Sequence, residues 1–243
     1  MSLVFDIETI GADFDQLDQT TQGQLTRWIR HEAMGDEVRY QSALADLKDG
    51  LSFSPLTGEI VALGIYDTVR NMGVVYFQSP EIDLKDYQDE NFTFKPRTEA
   101  EMLAAFWEGA KNYQEFISFN GRGFDVPFMQ IRSAVHRIRP TVDLLSNRYL
   151  SSQLPDRKHI DLMDQLSFYG AVRRKGSLHL YCRAFGISSP KANGISGEEV
   201  GKFFKDHRYQ DIAEYNSWDL IATAELYKIW KDYVNMGSIK IKD

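Results

Sequence analysis

Residues 2–11 read SLVFDIETIG, an apolar run through Ile7 that closes at Gly11, which is the pattern of a strand inside a sheet. Asp6 and Glu8 stand one residue apart, so on an extended backbone both carboxylates point to the same face. Two like charges held that close are costly without a compensating proton or cation. Oxygen-only donors of this kind suit a hard divalent ion such as Mg²⁺ or Mn²⁺. A lone D-x-E also fits a solvated strand end, so the pair needs company.

Outward from this strand, residues 13–50 are polar and weakly periodic, with helical spacing clearest over 22–31 and again over 40–47; they read as a helical insertion. EIVALGIY (59–66) and GVVYFQ (73–78) are β-rich runs joined by a short polar link, a spacing suited to adjacent antiparallel strands. A helix follows over 98–113, started by the capping-box pair Thr98 and Glu101. Residues 116–120 return as a strand, 120–123 (NGRG) turn, and 124–138 resume helical spacing. From there the pattern is helical: 161–169, 177–185, 197–205 and the long run 207–233. This order predicts an α/β fold, a mixed β-sheet flanked by helices, in a single domain over 1–235 with a tail at 236–243.

Two further acids fall in telling places. Asp125 follows the second strand in FNGRGFD (119–125), so Asp6 and Asp125 both lie at the carboxyl ends of predicted strands, where open sheets build their sites. Taken alone, Asp125 also fits a helix cap and Asn120-Gly121 an ordinary turn. Tyr215 and Asp219 (YNSWD, 215–219) are four apart on the long helix, which puts phenol and carboxylate on one face. Each element is weak singly; together, in this order, they are specific.

The ordered set D-x-E, N-G-x-x-F-D and Y-x-x-x-D resembles the DEDD superfamily of 3'-5' exonucleases, in its tyrosine branch. The histidine branch would carry its histidine where this chain has Glu214. HIDLMD (159–164), GSL (176–178), FGI (185–187) and Pro190-Lys191 resemble, more closely, predicted exonucleases related to the proofreading domain of family B DNA polymerases. The P-G-K usual there reads SPKANG (189–194) here. The resemblance covers residues 1–232 and leaves no room for a polymerase domain, so it implies a free-standing nuclease or a subunit.

That resemblance implies a ribonuclease H-like fold and hydrolysis with two divalent ions, Mg²⁺ or Mn²⁺, about 4 Å apart. Asp6 would bridge them, Glu8 and Asp219 would hold the ion that activates water, and Asp125 would position the second. Tyr215 would orient the attacking water, since a phenol with pKa near 10 is a poor base at neutral pH. Thr9 and Phe124 would adjoin the terminal nucleotide, Asn120 would shape the turn or contact substrate, and His159 would be structural or substrate-adjacent. Asp161 is a further acid expected near the ions. The implied partner is single-stranded nucleic acid with a free 3' end, DNA favoured over RNA. The alternatives are an exoribonuclease and a catalytically silent binding module; a two-carboxylate glycosidase ranks last because it leaves Asp125, Tyr215 and Asp219 without roles.

Composition bounds these readings. The 28 Lys+Arg against 35 Asp+Glu leave a net charge of -7, which at first argues against a polyanionic partner. The charge is segregated, however: residues 122–191 hold 12 Lys+Arg and five Asp, hence +7, and the remainder carries -14. A basic zone can steer a polyanion even when the total is negative. Arg122, Arg132, Lys158 and Arg173-Arg174-Lys175 are its candidate phosphate contacts. The one cysteine, Cys182, excludes an internal disulfide and a cysteine-built zinc site and reads as a packed core residue. With no basic-apolar leader and no run of eighteen apolar residues, a cytoplasmic protein without membrane association is expected.

Overall fold

The computed structural model describes residues 1–189 and 199–235. Its frame is a seven-stranded mixed sheet: β1 (Ser2–Gly11), β2 (Gly58–Asp67), β3 (Met72–Phe77), β4 (Tyr87–Asp89), β5 (Phe92–Pro96), β6 (Glu115–Ser118) and β7 (Lys158–Asp161), in the spatial order β4-β5-β3-β2-β1-β6-β7. β1 is the pivot. It pairs antiparallel with β2 on one side and parallel with β6 on the other, and β7 extends the parallel half. The expected α/β class with a mixed sheet is therefore what the chain adopts.

Alternation along β1 divides the core. Leu3, Phe5 and Ile7 pack with α3 (Glu99–Ala110) and α4 (Asp125–Val135), through Met102, Phe106, Trp107, Val126 and Phe128. Val4, on the opposite face with Asp6 and Glu8, packs with α8 (Tyr209–Ile229) and, through Leu162 and Leu166, with α5 (Leu162–Leu166). Each face buries several large apolar side chains, at about 1.5–3 kcal/mol apiece, which fixes the register of β1 because a one-residue slip would exchange its two faces.

The 13–50 segment forms α1 (Gln19–Ala33) and α2 (Glu37–Gly50), each opened by an aspartate, Asp18 or Asp36, that accepts two backbone N–H groups. They pack on each other and return the chain to the end of β1 at Leu51, which is buried. Thr98 and Glu101 close the expected capping box on α3. Among the described residues, the remaining α-helices are α6 (Leu178–Phe185), whose Cys182 is buried as expected, and α7 (Val200–Lys205). Residues 190–194 of the altered P-G-K stretch lie outside the described residues, as does the tail from 236 on.

Three strands depart from the sequence reading. β4 and β5 occupy a stretch given no element, and β7 takes three residues likewise unassigned together with Asp161, expected to begin a helix. β7 is four residues long, and Asp161 closes it and at once caps α5, accepting from the N–H groups of Met163 and Asp164. Among the described residues no helix is long and apolar enough to cross a membrane.

Candidate active site

Asp6 and Glu8 project from the same face of β1 toward α8, which lies across the sheet and delivers Tyr215, Asn216 and Asp219. Carboxylate oxygens of Asp6, Glu8 and Asp219 come within 4.8 Å of one another, a spacing that fits donors around a shared cation. The fourth acid reaches them from the other face of the sheet. Asp125 is the first residue of α4, and its Oδ1 accepts the N–H of Ile7 at 3.1 Å. The β1–β6 ladder runs only through Val4, so that N–H lies beyond it and Asp125 takes the place of a ladder partner. Asp125 thus adjoins the group of three without being a member of it.

Electrostatics agree with crowding. Burial, then Asp125, Glu8 and Asp219 in that order, hold the Asp6 carboxyl well above the usual carboxylate range. Burial and Asp219 do the same to Glu8, against a lowering hydrogen bond from Asn216. Burial raises Asp125 to about 7, with its own and Ile7's N–H groups opposing. Carboxylates that resist ionisation in the bare protein are what a divalent cation would ionise on binding. Tyr215 is buried, and its phenol donates to Asp219; burial first, then the three acids, push it far above an ordinary phenol, so it stays protonated.

Asn216 was not singled out from the sequence. It is fully buried, and its Nδ2 donates to Asp6 Oδ2 at 2.8 Å. The amide fits because Gly64 lies opposite Asp6 in the β1–β2 register: a Cβ on Gly64 would fall 2.0 Å from Asn216 Oδ1 and 2.6 Å from Leu220 Cδ1. Glycine in the middle of the apolar run EIVALGIY was the available signal, since such a glycine marks a close approach.

The other expected residues divide. Thr9 follows a register shift in the β1–β2 ladder, and its Oγ1 donates to the carbonyl of Ser52 at 2.8 Å. Phe124 is half-buried and contacts Phe53 edge-on at 6.3 Å. Asn120 sits at φ 66, a left-handed turn position that asparagine tolerates. Asp161, the further acid expected near the ions, is engaged by this turn: Oδ1 accepts the N–H of Asn120 and Oδ2 that of Arg122, each at 2.9 Å, besides capping α5. Its carboxylate is consumed in holding the loop that carries Asp125.

His159 is 2% exposed. Its Nδ1 lies 2.9 Å from the carbonyl of Leu144, which can only accept, so Nδ1 carries the hydrogen; Nε2, 2.8 Å from Ser118 Oγ, then accepts from that hydroxyl. Burial pushes the ring down to about 4. Both nitrogens are engaged within the fold, a structural use of the ring. Two expected phosphate contacts are likewise committed elsewhere. Arg122 donates to the carbonyls of Leu144 and Leu145 at 3.0 and 3.1 Å, and Arg132 pairs with buried Glu99 at 2.7 Å. Lys158 is half-buried on β7, whereas Arg173, Arg174 and Lys175 are exposed.

Residues 73–238 match the family described as predicted 3'-5' exonucleases related to the exonuclease domain of PolB. The chain belongs to that family. The structure is also similar to that of the family B DNA polymerase from the hyperthermophilic archaeon Pyrobaculum calidifontis, with a TM-score of 0.54 at 15% identity over 95% of this chain. At that identity the likeness speaks for the fold. This exonuclease-family chain spans 24% of the polymerase chain. Comparison with the curated proteins found no match. The family match leaves out β1, the insertion and β2, so Asp6 and Glu8 join the family's stretch through the fold rather than through the matched sequence.

Proposed function

We propose that this chain is a metal-dependent 3'-5' exonuclease that hydrolyses phosphodiester bonds at free 3' ends of single-stranded nucleic acid, DNA in preference to RNA, with two divalent ions, Mg²⁺ or Mn²⁺. The observation that carries this reading is the convergence of Asp6, Glu8 and Asp219 within 4.8 Å, with Asp125 hydrogen-bonded to the same strand. The donor set fits the group: it is all oxygen and partly buried, and burial with the neighbouring acids holds the Asp6 and Glu8 carboxyls above their usual range. Asp6, Glu8 and Asp219 would hold the ions, and Asp125 would complete the set. Ions bound there would supply Lewis-acid activation of water and stabilisation of the leaving oxygen.

The chain's own residues do the rest. In the reaction, water oxygen bonds to phosphorus, the bond to the 3' oxygen of the preceding nucleotide breaks, and a 5'-mononucleotide leaves. Tyr215, kept protonated and tied to Asp219, orients that water rather than deprotonating it. Asn216 holds the Asp6 carboxylate in place. Thr9 and Phe124 would border the terminal nucleotide, the ring offering its face to sugar or base.

Digestion of matched 5'-labelled single strands of DNA and RNA, with Mg²⁺, Mn²⁺ or EDTA, tests the proposal. A descending ladder on DNA that disappears in EDTA is expected. A ladder on RNA alone would make the chain an exoribonuclease, a single internal product an endonuclease, and binding without any product a silent module.

A further inference from the structure

A cleft of about 890 Å³ opens where β1 ends, starting at Thr9, the residue after Glu8. Its volume lies within the range of about 300–1,000 Å³ typical of ligand sites. Phe53 lines it, 63% exposed, edge-on to Phe124. From one side α7 contributes Lys202 and Lys205, three residues apart and thus on one face of the helix. Both are exposed, and neither forms an ion pair with a described residue; Asp206, at the end of α7, is the acid on that side. From the other side α2 contributes Asp46 and Asp49, exposed and without a described cation partner, while Lys48 between them is tied to Asp15 at 2.9 Å.

The lining from α7 is therefore net cationic and that from α2, with exposed Asp13 near the end of β1, anionic, and the ring of Phe53 lies in the same cleft. We infer that this cleft receives the 3' portion of a single strand, with phosphates on Lys202 and Lys205 and a base on Phe53, and that Asp46 and Asp49 turn a second strand away. This rests on the exonuclease reading. A single strand can put its phosphates toward one wall and its bases toward the ring; a duplex carries phosphates on both sides and must bring one row against the acids. The anionic wall and Phe53 come from the stretch before residue 73, outside the family match, so they are features of this chain beyond that match.

The test measures fluorescence anisotropy of labelled oligothymidylate, and of a blunt labelled duplex, in EDTA, where hydrolysis stops. Lys202→Ala with Lys205→Ala should weaken single-strand binding about tenfold. It should also flatten the slope of log affinity against log salt by about 1.4, or roughly 0.7 for each lost phosphate contact. Phe53→Ala should weaken it about fivefold or more. Asp46→Lys with Asp49→Lys should raise the ratio of duplex to single-strand affinity about tenfold. Wild-type affinity and salt slope in the double-lysine variant, or an unchanged ratio in the charge-reversal variant, would overturn the inference. If the wild-type protein cuts while the variants bind as it does, the cleft assignment fails alone. If the variants behave as stated while the wild type with Mn²⁺ cuts nothing, the exonuclease reading fails and the cleft stands as a binding site.

Discussion

Asp6 owes its position to a residue on another strand that has no side chain. Gly64 leaves the space in which Asn216 reaches the carboxylate, so Gly64→Ala should displace the amide, cost about 1–3 kcal/mol by overpacking, and weaken Mn²⁺ binding. Calorimetric titration reads the last directly; wild-type affinity would show that Asn216 does not position Asp6. Crowding makes a prediction of opposite sign. The folded pKa values of Asp6, Glu8 and Asp125 are raised, so ionising these groups at neutral pH opposes folding. Asp6→Asn should therefore raise the melting temperature of the metal-free protein, on the order of 1 kcal/mol or about 2–4 °C, while abolishing hydrolysis. A lower melting temperature would mean that the acids are not mutually repelling. His159 runs the other way. Its folded pKa of about 4 lies below the unfolded value near 6.5, so its contribution is complete above pH 6.5 and is lost as pH falls toward 4. The loss amounts to about 3 kcal/mol at 1.36 kcal/mol per unit. Between pH 7 and 4 this opposes the gain from protonating Asp125 and its neighbours. His159→Gln should gain more stability than wild type on acidification through that window, as measured by urea unfolding; parallel pH profiles would refute the assignment.

Among the elements, the turn between β6 and α4 holds the site together. Asp161, at the end of β7, accepts the N–H groups of Asn120 and Arg122 and caps α5. Asp161→Ala should cost about 2 kcal/mol or more, as the loss of a cap and of buried acceptors. Activity should fall further than stability alone explains, because Asp125 follows the loosened turn. Full activity in the variant at a temperature where it remains folded would contradict this. The role of Asp161 also marks the limit of sequence reading here. β1, β2, β3, the capped α3 and the long α8 were legible because each carries a sustained period or a cap within its own residues. β7 was not: four residues running directly into a capped helix leave HIDLMD without a break in pattern. β4, three residues at the far edge of the sheet, needs little of the alternation that identifies a buried strand, and β5, which pairs on both sides, alternates only over Phe92, Thr93 and Phe94 before Lys95 and Pro96 close it. Of the candidate site, Asp6, Glu8, Asp125, Tyr215 and Asp219 were proposed from spacing and resemblance, and the fold brings them near one another. Asn216 depends on a contact between β2 and α8 whose one local trace is the glycine inside EIVALGIY, and the N–H groups that occupy Asp161 come from a turn about forty residues earlier.

Across the whole molecule, the sheet works as a partition with acids on both sides. Asp6, Glu8 and Asp219 meet on the α8 face, and Asp125 comes from the α4 face to the strand between them. Both helices are held by their own apolar cores, so the carboxylates are forced together by packing that favours the fold independently of their charge. The basic zone seen in the sequence is only partly a surface: Arg122 and Arg132 serve the interior, whereas Arg173, Arg174 and Lys175 remain exposed. Such an arrangement spends stability in the absence of metal and recovers it on binding. Titration of the purified protein with Mn²⁺, followed by isothermal calorimetry and by melting temperature in parallel, is the most direct measurement. The account predicts saturable binding with a rise in melting temperature for the wild type, and loss of both in Asp6→Asn and Asp219→Asn, each folded and each at least as stable as wild type without metal. Undiminished Mn²⁺ binding in these two variants would contradict it, because the acids that meet between β1 and α8 would then not be the ones that hold the ions.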